Sequence, residues 1–311
     1  MLGQMMHRDL SIIDILKFAS ENHSLSEVVS LRTEGDMHRY NYTDCLSRVC
    51  KLANALVGLG IKKGDRVATL AWNGYRHLEL YYGISGIGAV CHTINPRLSP
   101  EQMLYIIEHA GDRLLFVDTT FVPIIEKLIP KLPKNLVIIV MASSDDSSTL
   151  SDNFLNYEQL ILESSHDIIW PELPENTAAG LCYTSGTTGN PKGALYSHRS
   201  TVLHALTTSL NLGPSLGDGM KVLPVVPLFH VNAWGLPYAA PLTGTSLIFP
   251  GPNLDGASLF DLMDQENVNS AWGVPTVWLG LLEEIRKQER VPSQFQNVVI
   301  GGSAAPKSMI E

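Results

Sequence analysis

Positive charge is scarce in this chain. Its 311 residues include 22 Lys and Arg against 31 Asp and Glu, which gives a formal net charge of -9 at pH 7. Nucleic acids and anionic membrane surfaces are normally bound by clustered basic side chains. The composition therefore argues against both as partners, and any anionic ligand must be held by local groups.

Cysteine is scarce too. The four cysteines are Cys45, Cys50, Cys91 and Cys182, and their spacing matches no paired metal-binding motif. Disulfide frameworks are typical of small secreted domains with many more cysteines. We therefore expect these thiols to be small apolar residues of the core, in a reducing compartment.

Long apolar runs and a secretory signal are also missing. The longest apolar candidates, residues 136–142 and 271–282, are shorter than the roughly 20 residues of a transmembrane helix. The N-terminus lacks the basic start and apolar run of a secretory signal. These absences predict a cytoplasmic protein without a transmembrane segment.

Short apolar strands alternate with amphipathic helices, beginning with a helix at Tyr42 that Thr43 is expected to cap. Strands are predicted at 66–70, 89–94, 113–118 and 136–141, and then at 178–184, 193–197, 222–226, 245–249, 268–272 and 297–300. Further helices are predicted at 77–87, 100–109 and 122–129, and near 201–211, 257–267 and 276–288. Such alternation predicts an α/β fold with layered, largely parallel sheets that are covered on both faces.

A small polar run at residues 143–149 separates two successive α/β series. We expect an N-terminal α/β subdomain at 1–175 and a second at 176–311. The second ends in a glycine-led loop, residues 301–305, followed by Pro306 at a first helical position. About one helical turn remains, which is too short to be stable alone. We therefore expect this subdomain to be incomplete at its C-terminal end.

The segment most informative about function is residues 183–193. It contains three glycines, four Ser or Thr hydroxyls and one lysine. Glycines let backbone N–H groups converge on phosphate oxygens, hydroxyls can bind phosphate or magnesium, and a lysine compensates negative charge. A flexible polar hairpin would explain the glycines and threonines but not the Pro191-Lys192-Gly193 ending. We therefore interpret the segment as a phosphate loop.

This loop is not of the Walker A type. Pro191 stands where a glycine should precede the lysine, and Gly193 follows it where Ser or Thr is required. A Walker A loop also opens a helix, whereas a strand resumes here. The segment is thus predicted to be a strand-loop-strand element.

At these residues the chain resembles the adenylate-forming superfamily, which includes acyl-CoA synthetases, luciferases and peptide-synthetase adenylation domains. Further matching segments, in the family's order, are residues 64–68, 89–98, 224–232 and 301–306. Residues 197–201, 229–235 and 254–259 look most like bacterial medium- and long-chain fatty-acyl-CoA synthetases, and 3-methylmercaptopropionyl-CoA ligase is similar too. The resemblance implies the large N-terminal domain of that fold, with the small C-terminal domain absent.

The resemblance also implies a reaction. The family activates a carboxylic acid with MgATP to an acyl-adenylate, from which CoA then displaces AMP. ATP and Mg²⁺ would be cofactors, CoA a co-substrate, and Thr184 a contact of the metal. The residues implied to bind the phosphates are Thr184, Ser185, Gly186, Thr187, Thr188, Gly189 and Lys192.

His230 and Trp234 are the next candidates. A lone histidine beside apolar residues is more often structural than catalytic, but the family match at 224–232 makes His230 a positioning and charge-stabilising residue. With Lys192 it forms the catalytic set. His230, Val231 and Trp234 would border the acyl group, although core packing explains Trp234 equally well.

The loop at Gly301 and Gly302 would bring backbone close to the acyl carbonyl, and Gly302, Ser303 and Ala304 would border the adenosine. A strand-to-helix turn would need the same glycines, and both interpretations can hold together. His198 and His204 are six residues apart without a carboxylate to complete a metal site. We assign them structural roles.

The family's magnesium-binding Glu, ribose-binding Asp and C-terminal lysine have no counterpart in these 311 residues. The chain is therefore expected to be inactive alone, and a homodimer is possible. Three functions are weighed: a fatty-acyl-CoA synthetase, a 3-methylmercaptopropionate-CoA ligase, and a non-catalytic nucleotide-binding fragment. A carrier-protein adenylation domain fits residues 229–232 less well.

Overall fold

Two β-sheets with helices on their faces form the structure. It is a computed structural model that describes residues 1, 3–144, 154–184, 190–212 and 215–310. The polar run at 143–149 thus lies partly outside the described residues. Residues 185–189 of the phosphate loop lie wholly outside them.

The first sheet has seven described strands in the order β7-β6-β5-β3-β4-β8-β9. These strands are β3 (Arg66–Leu70), β4 (Val90–Thr93), β5 (Asp112–Asp118), β6 (Val137–Met141), β7 (Phe154–Asn156), β8 (Ala178–Thr184) and β9 (Lys192–Ser197). All neighbours are parallel except β8 and β9, which are antiparallel.

The second sheet has six described strands in the order β13-β12-β10-β11-β1-β2. They are β1 (Glu27–Leu31), β2 (Met37–Asn41), β10 (Lys221–Pro224), β11 (Ser246–Phe249), β12 (Ser270–Gly273) and β13 (Asn297–Ile300). Only β1 and β2 are antiparallel. The prediction of largely parallel sheets is confirmed.

Helices cover both sheets on both faces. They are α1 (Ile12–Asn22), α2 (Tyr42–Gly58), α3 (Tyr75–Gly86), α4 (Pro100–Ala110), α5 (Val122–Leu128), α6 (Tyr157–Glu163), α7 (His198–Asn211), α8 (Leu236–Thr243), α9 (Gly256–Gln265), α10 (Pro275–Gln288) and α11 (Lys307–Ile310). The largest apolar cluster joins both sheets to α1, α2, α3 and α8, whereas α4 and α5 cover the outer face of the first sheet. Since α9 and α10 cover the outer face of the second, the layers run αβαβα.

The order of the first sheet contains a reversal. The chain passes from β3 to β4 on one side and then returns across β3 to β5 on the other. The loops that follow β3 and β5 therefore leave the sheet in opposite directions. In open α/β sheets such a switch point is the usual place for a ligand.

Local signals explain most helix ends, with one correction. Ser99 caps α4 in a capping box with Gln102, as the sequence predicted for the start of that helix. At α2, however, the cap is Asn41 and not Thr43, because the Asn41 side chain accepts the N–H of Asp44. Thr43 instead donates to Ser20 O at 3.1 Å.

Hydrogen bonding crosses the predicted boundary between residues 175 and 176 in both directions. The hairpin β8-β9 completes the first sheet through pairing of β8 with β4, and the N-terminal hairpin β1-β2 completes the second through pairing of β1 with β11. The limits 1–175 and 176–311 thus stay a prediction, and the sheets are assembled from both sides of it.

Candidate functional site

The predicted phosphate loop connects two paired strands. Strand β8 ends at Thr184 and β9 begins at Lys192, and these two residues lie directly opposite each other. The Thr184 hydroxyl donates to Lys192 O at 3.4 Å. Both side chains are exposed, so a hydroxyl and an ammonium group stand at the two ends of the loop. Ser185, Gly186, Thr187, Thr188 and Gly189 lie outside the described residues.

A buried polar cluster supports the end of β8. The His92 ring lies 5.1 Å from the Tyr183 ring, and its Nδ1 lies 2.8 Å from Asp112 Oδ2. Burial raises the pKa of the Asp112 carboxyl, which His92 partly offsets. On the other side Tyr183 bonds His109 Nδ1 through its hydroxyl at 2.6 Å. Tyr183 is therefore held from two sides, one residue before Thr184.

The segment with His230 has a strained backbone. Four successive residues that carry side chains, from Val231 to Trp234, have φ between 45° and 54°, and Gly235 follows at 82°. The left-handed region costs such residues roughly 1–2 kcal/mol each relative to the right-handed one. We call residues 231–235 the left-handed turn. Strain of this kind is commonly found at functional sites and must be offset by surrounding contacts.

Side-chain bonds from the first sheet and α3 hold this turn. The Tyr81 hydroxyl on α3 donates to Leu228 O at 2.5 Å and to Asn232 Oδ1 at 3.2 Å. Cys182 Sγ on β8 lies 3.5 Å from the same Asn232 oxygen. Because Cys182 is two residues before Thr184, the strand that leads into the phosphate loop contacts the left-handed turn directly.

The approach to the turn is fixed by Asn73, in the loop after β3. Its Nδ2 donates to Pro224 O at 2.7 Å and to Val226 O at 2.9 Å, and its Oδ1 accepts from Leu228 N at 2.7 Å. Asn73 is buried. The two sheets are thereby bonded to each other just ahead of His230.

His230 lies at the start of the turn with an exposed side chain. Its N–H donates to Pro227 O at 3.1 Å, and its carbonyl accepts from Ala233 N at 3.2 Å. Val231 is 41% exposed. A histidine and an apolar side chain are thus exposed next to a backbone that is held by hydrogen bonds.

Trp234 meets the glycine loop after β13. A Cβ atom on Gly301 would lie 2.7 Å from Trp234 Cη2, so only glycine allows this approach. Gly302 has a left-handed φ of 81°, while Ser303 and Ala304 are exposed. The structure therefore brings Trp234 together with Gly301, as an acyl-binding role for both would need.

The two histidines assigned to structure differ in their surroundings. His198 is buried and accepts the N–H of Ile12 at 3.1 Å, and burial lowers its pKa to about 4. His204 is exposed, and its ring packs against Gly235 of the left-handed turn. His198 thus has the expected structural role, and His204 borders the candidate site.

Sequence reasoning missed the residues that position the site. The Tyr81 ring lies in the core, as its apolar surroundings in sequence would suggest, but its hydroxyl reaches Asn232. Asn73 was not singled out at all. A polar residue three positions after the end of a buried strand is the signal that could have found it.

No group of three or more His, Cys, Asp or Glu side chains within the described ranges could hold a metal ion. None of the helices in those ranges is long and apolar enough to span a membrane.

Comparison with known proteins gives a consistent result. The model of the family described as AMP-binding enzyme matches residues 18–311. The chain is 49% identical to the medium-chain-fatty-acid–CoA ligase of Ectopseudomonas oleovorans, covering 100% of this chain and 57% of that protein. It is 46% identical to the 3-methylmercaptopropionyl-CoA ligase of Ruegeria lacuscaerulensis, covering 100% of this chain and 58% of that protein.

Solved structures agree on the fold. A crystal structure of an anthranilate CoA ligase in complex with anthranoyl-AMP has a TM-score of 0.87 at 22% identity, covering 99% of this chain and 58% of that one. The Mycobacterium tuberculosis fatty acyl CoA synthetase gives 0.81 at 22%, covering 96% and 56%. The chain spans a little over half the length of the relatives that it matches.

Proposed function

This chain belongs to the AMP-binding enzyme family, and from that premise we propose that it supplies the ATP- and acyl-binding portion of an AMP-forming acyl-CoA ligase. The whole enzyme would convert a carboxylic acid to an acyl-adenylate and then to an acyl-CoA thioester. The observation that carries the proposal is the pairing of Thr184 with Lys192 at the two ends of the glycine- and hydroxyl-rich loop.

We assign the triphosphate to that loop. Lys192 would place its ammonium charge against the β- and γ-phosphates, and Ser185, Gly186, Thr187, Thr188 and Gly189 would donate hydroxyl and backbone hydrogens. Mg²⁺ is commonly held by one or two protein oxygens together with substrate phosphates. The exposed Thr184 hydroxyl fits that limited role, in which the ion would neutralise phosphate charge.

The first half-reaction depends on the orientation of the carboxylate toward the α-phosphorus more than on proton transfer. A carboxylate oxygen attacks the α-phosphorus, the bond to the pyrophosphate oxygen breaks, and negative charge builds up on the phosphoryl oxygens. Positioned donors and cations act on such charge. We assign to His230 the role of aligning the carboxylate and stabilising this charge, which the rigid left-handed turn supports.

The acyl and adenosine groups would lie on either side of the reacting α-phosphorus. Trp234, Val231 and the backbone of Gly301 and Gly302 would border the acyl chain. Gly302, Ser303 and Ala304 would border the adenosine. In the second half-reaction the CoA thiol attacks the acyl carbonyl and AMP leaves.

Two acid classes are supported by the relatives. Identity of 49% to a medium-chain-fatty-acid–CoA ligase favours a fatty acid. Identities of 46% and 45% to two 3-methylmercaptopropionyl-CoA ligases from Ruegeria make 3-methylmercaptopropionate the second candidate.

Titration calorimetry of the purified chain tests the nucleotide assignment. Lys192→Ala removes a charged contact worth ~1.5–3 kcal/mol, so MgATP affinity should fall roughly ten- to a hundredfold. A non-hydrolysable acyl-adenylate analogue has no β- or γ-phosphate, and its affinity should change little. Lys134→Ala, at another exposed lysine, is the matched control.

Unchanged MgATP affinity in Lys192→Ala would remove Lys192 from the phosphate site. Binding of MgATP without binding of any acyl-adenylate analogue would instead favour a non-catalytic nucleotide-binding protein. Analogues of decanoate and 3-methylmercaptopropionate, compared side by side, would separate the two acid classes.

A further inference from the structure

The hairpin β8-β9 has a second face, opposite to the one that carries Thr184 and Lys192. Tyr183 and Gly193 are paired across the two strands, each next to one end of the phosphate loop. Successive side chains of a strand point to opposite faces, so Tyr183 lies on the face that Thr184 and Lys192 do not use. A Cβ atom on Gly193 would lie 3.4 Å from Tyr183 Cζ. The Tyr183 ring therefore covers the backbone of β9 next to Lys192.

Glycine at position 193 allows this contact. A Cβ atom there would also lie 2.9 Å from Leu181 Cδ1, so a side chain would displace one of its neighbours. An aromatic ring that covers a glycine on the adjacent strand stabilises the strand pair. Within the described part of the sheet, β9 is an end strand and pairs with β8 alone. The Tyr183 ring adds to that single pairing.

Helix α4 holds the outer end of Tyr183. The Tyr183 hydroxyl lies 2.6 Å from His109 Nδ1, and the two rings meet edge to face at 84°. Tyr105, four residues earlier on the same helix, stacks on the His109 ring with 5.3 Å between the centroids. His109 is exposed, yet it is held from two sides.

A buried pair holds the inner side of the Tyr183 ring. The side chains of His92 on β4 and Asp112 on β5 are fully buried, with His92 Nδ1 at 3.0 Å and 2.8 Å from the two carboxylate oxygens. His92 Nε2 has no hydrogen-bond partner among the described residues, so Asp112 alone orients the ring by hydrogen bonding. The oriented ring packs 5.1 Å from that of Tyr183.

We propose that Tyr183, His109 and His92 are positioning residues, which hold the two ends of the phosphate loop at the spacing that a bound triphosphate requires. The inference rests on the proposed function, which assigns the triphosphate to this loop. The histidines would act through Tyr183, and Tyr183 through the hairpin. Groups that are already in place bind a ligand more tightly, since less freedom is lost on binding. MgATP affinity, and not only the stability of the sheet, should therefore depend on these side chains.

Calorimetry of the full chain with two ligands tests this role. Tyr183→Phe keeps the ring over Gly193 and removes the hydroxyl that meets His109. One neutral hydrogen bond corresponds to roughly two- to tenfold in affinity, so MgATP should bind about three- to tenfold more weakly. The non-hydrolysable acyl-adenylate analogue lacks the β- and γ-phosphates, and its affinity should change by less than about twofold.

Variants of His109 supply a matched series. His109→Ala should weaken MgATP binding as much as Tyr183→Phe does. The double variant should bind no more weakly than either, since both substitutions remove the same contact. His109→Asn places a polar atom near the position of Nδ1 and should recover most of the lost affinity. His166→Ala, at another exposed histidine, is the control and should leave both affinities unchanged.

His92→Asn tests the inner contact. It removes the ring that packs on Tyr183 and keeps a polar atom for Asp112. We expect it to weaken MgATP binding more than binding of the acyl-adenylate analogue. If this buried variant does not fold, the variants of half-buried Tyr183 and exposed His109 still decide the question.

Selective loss of MgATP affinity, with recovery in His109→Asn, is the expected result. Equal loss for both ligands in Tyr183→Phe and His109→Ala, or no loss for either, would overturn the positioning role and leave the proposed function standing. A wild-type chain that does not bind MgATP would overturn the proposed function and this inference with it.

Discussion

Asn232 combines two properties that the candidate site needs at one residue. Asparagine adopts the left-handed region more readily than most residues, and its side-chain oxygen accepts from Tyr81 on α3 while contacting Cys182 on β8. Its neighbours Val231 and Trp234 also have positive φ, of 50° and 54°. Asn232 is therefore the residue through which side chains of α3 and β8 bond to the turn.

Replacement of Asn232 should separate these two properties. Asn232→Ala loses the hydrogen bond and the left-handed preference and should destabilise the chain by about 1–3 kcal/mol. Asn232→Gly loses only the bond and should be more stable than the alanine variant by up to ~1 kcal/mol. Urea unfolding measures both. Equal stabilities would mean that the turn is not strained at this position.

Asp118 predicts a pH dependence of stability. Burial raises its pKa to about 7 from an ordinary value near 3.8, so the folded state keeps a proton that the unfolded state has lost. Raising the pH from about 4 to about 7 should therefore destabilise the fold through this group, by at most about 4 kcal/mol.

Asp118→Asn should lack this contribution. Other groups titrate equally in both proteins, so the informative quantity is the difference in free energy of unfolding between them at each pH. The variant should gain on the wild type up to pH 7 and then level off. A constant difference from pH 4 to 8 would contradict the raised pKa.

At the residue scale, sequence reasoning found exposed groups better than the residues that fix them. Lys192 could be named because glycines, hydroxyls and a proline mark its loop, whereas His230 was named from the family match at residues 224–232. Tyr81 could not, since its ring lies in the core and only its hydroxyl reaches the turn. A partner about 150 residues away leaves no local pattern in the chain.

Among the elements, α2 tests how well a cap can be assigned from sequence. Thr43 was the predicted cap, whereas Asn41 forms the capping box with Asp44. Asn41→Ala should therefore cost about 1 kcal/mol, the usual cost of a lost N-cap. Thr43→Ala, which removes one exposed bond to Ser20, should cost less. Urea unfolding of both variants measures the two losses in free energy of unfolding. A larger loss in Thr43→Ala than in Asn41→Ala would support Thr43 as the cap.

Elements with strong local signals were predicted well. Strands β3, β8 and β13 begin and end where the apolar pattern predicted, and α4 has its Ser99-Pro100 start. The N-terminal elements α1, β1 and β2 were missed. Strand β1 is five residues long and pairs with β11, with Val28 opposite Leu247, so the contacts that stabilise it are about 220 residues distant in sequence.

On the scale of the whole molecule, the helices between the two sheets carry a network of ion pairs that the sequence pattern did not predict. Arg48 on α2 binds Glu79 on α3 at 2.7 Å and Glu158 on α6 at 3.0 Å. Glu79 is fully buried and also accepts from the Tyr157 hydroxyl at 2.5 Å. Because this layer packs against both sheets, the network connects parts of the fold that are distant from each other in sequence.

Glu79→Gln should therefore destabilise the whole structure in one cooperative transition. The substitution preserves size but leaves Arg48 with only Glu158 as a charged partner, and breaking a buried ion pair costs about 3–5 kcal/mol. Because the Arg48 side chain is 22% exposed, we expect about 2–3 kcal/mol, measured by urea unfolding with two spectroscopic probes. Glu283→Gln, at an exposed position of α10, should change stability by less than about 0.5 kcal/mol.

A double-mutant cycle with Arg48→Met isolates the pair, since the double variant should be more stable than the sum of the single losses predicts. Additive losses would show that Glu79 acts through Tyr157 alone, and separate transitions for the two probes would show that the helical layer does not couple the sheets.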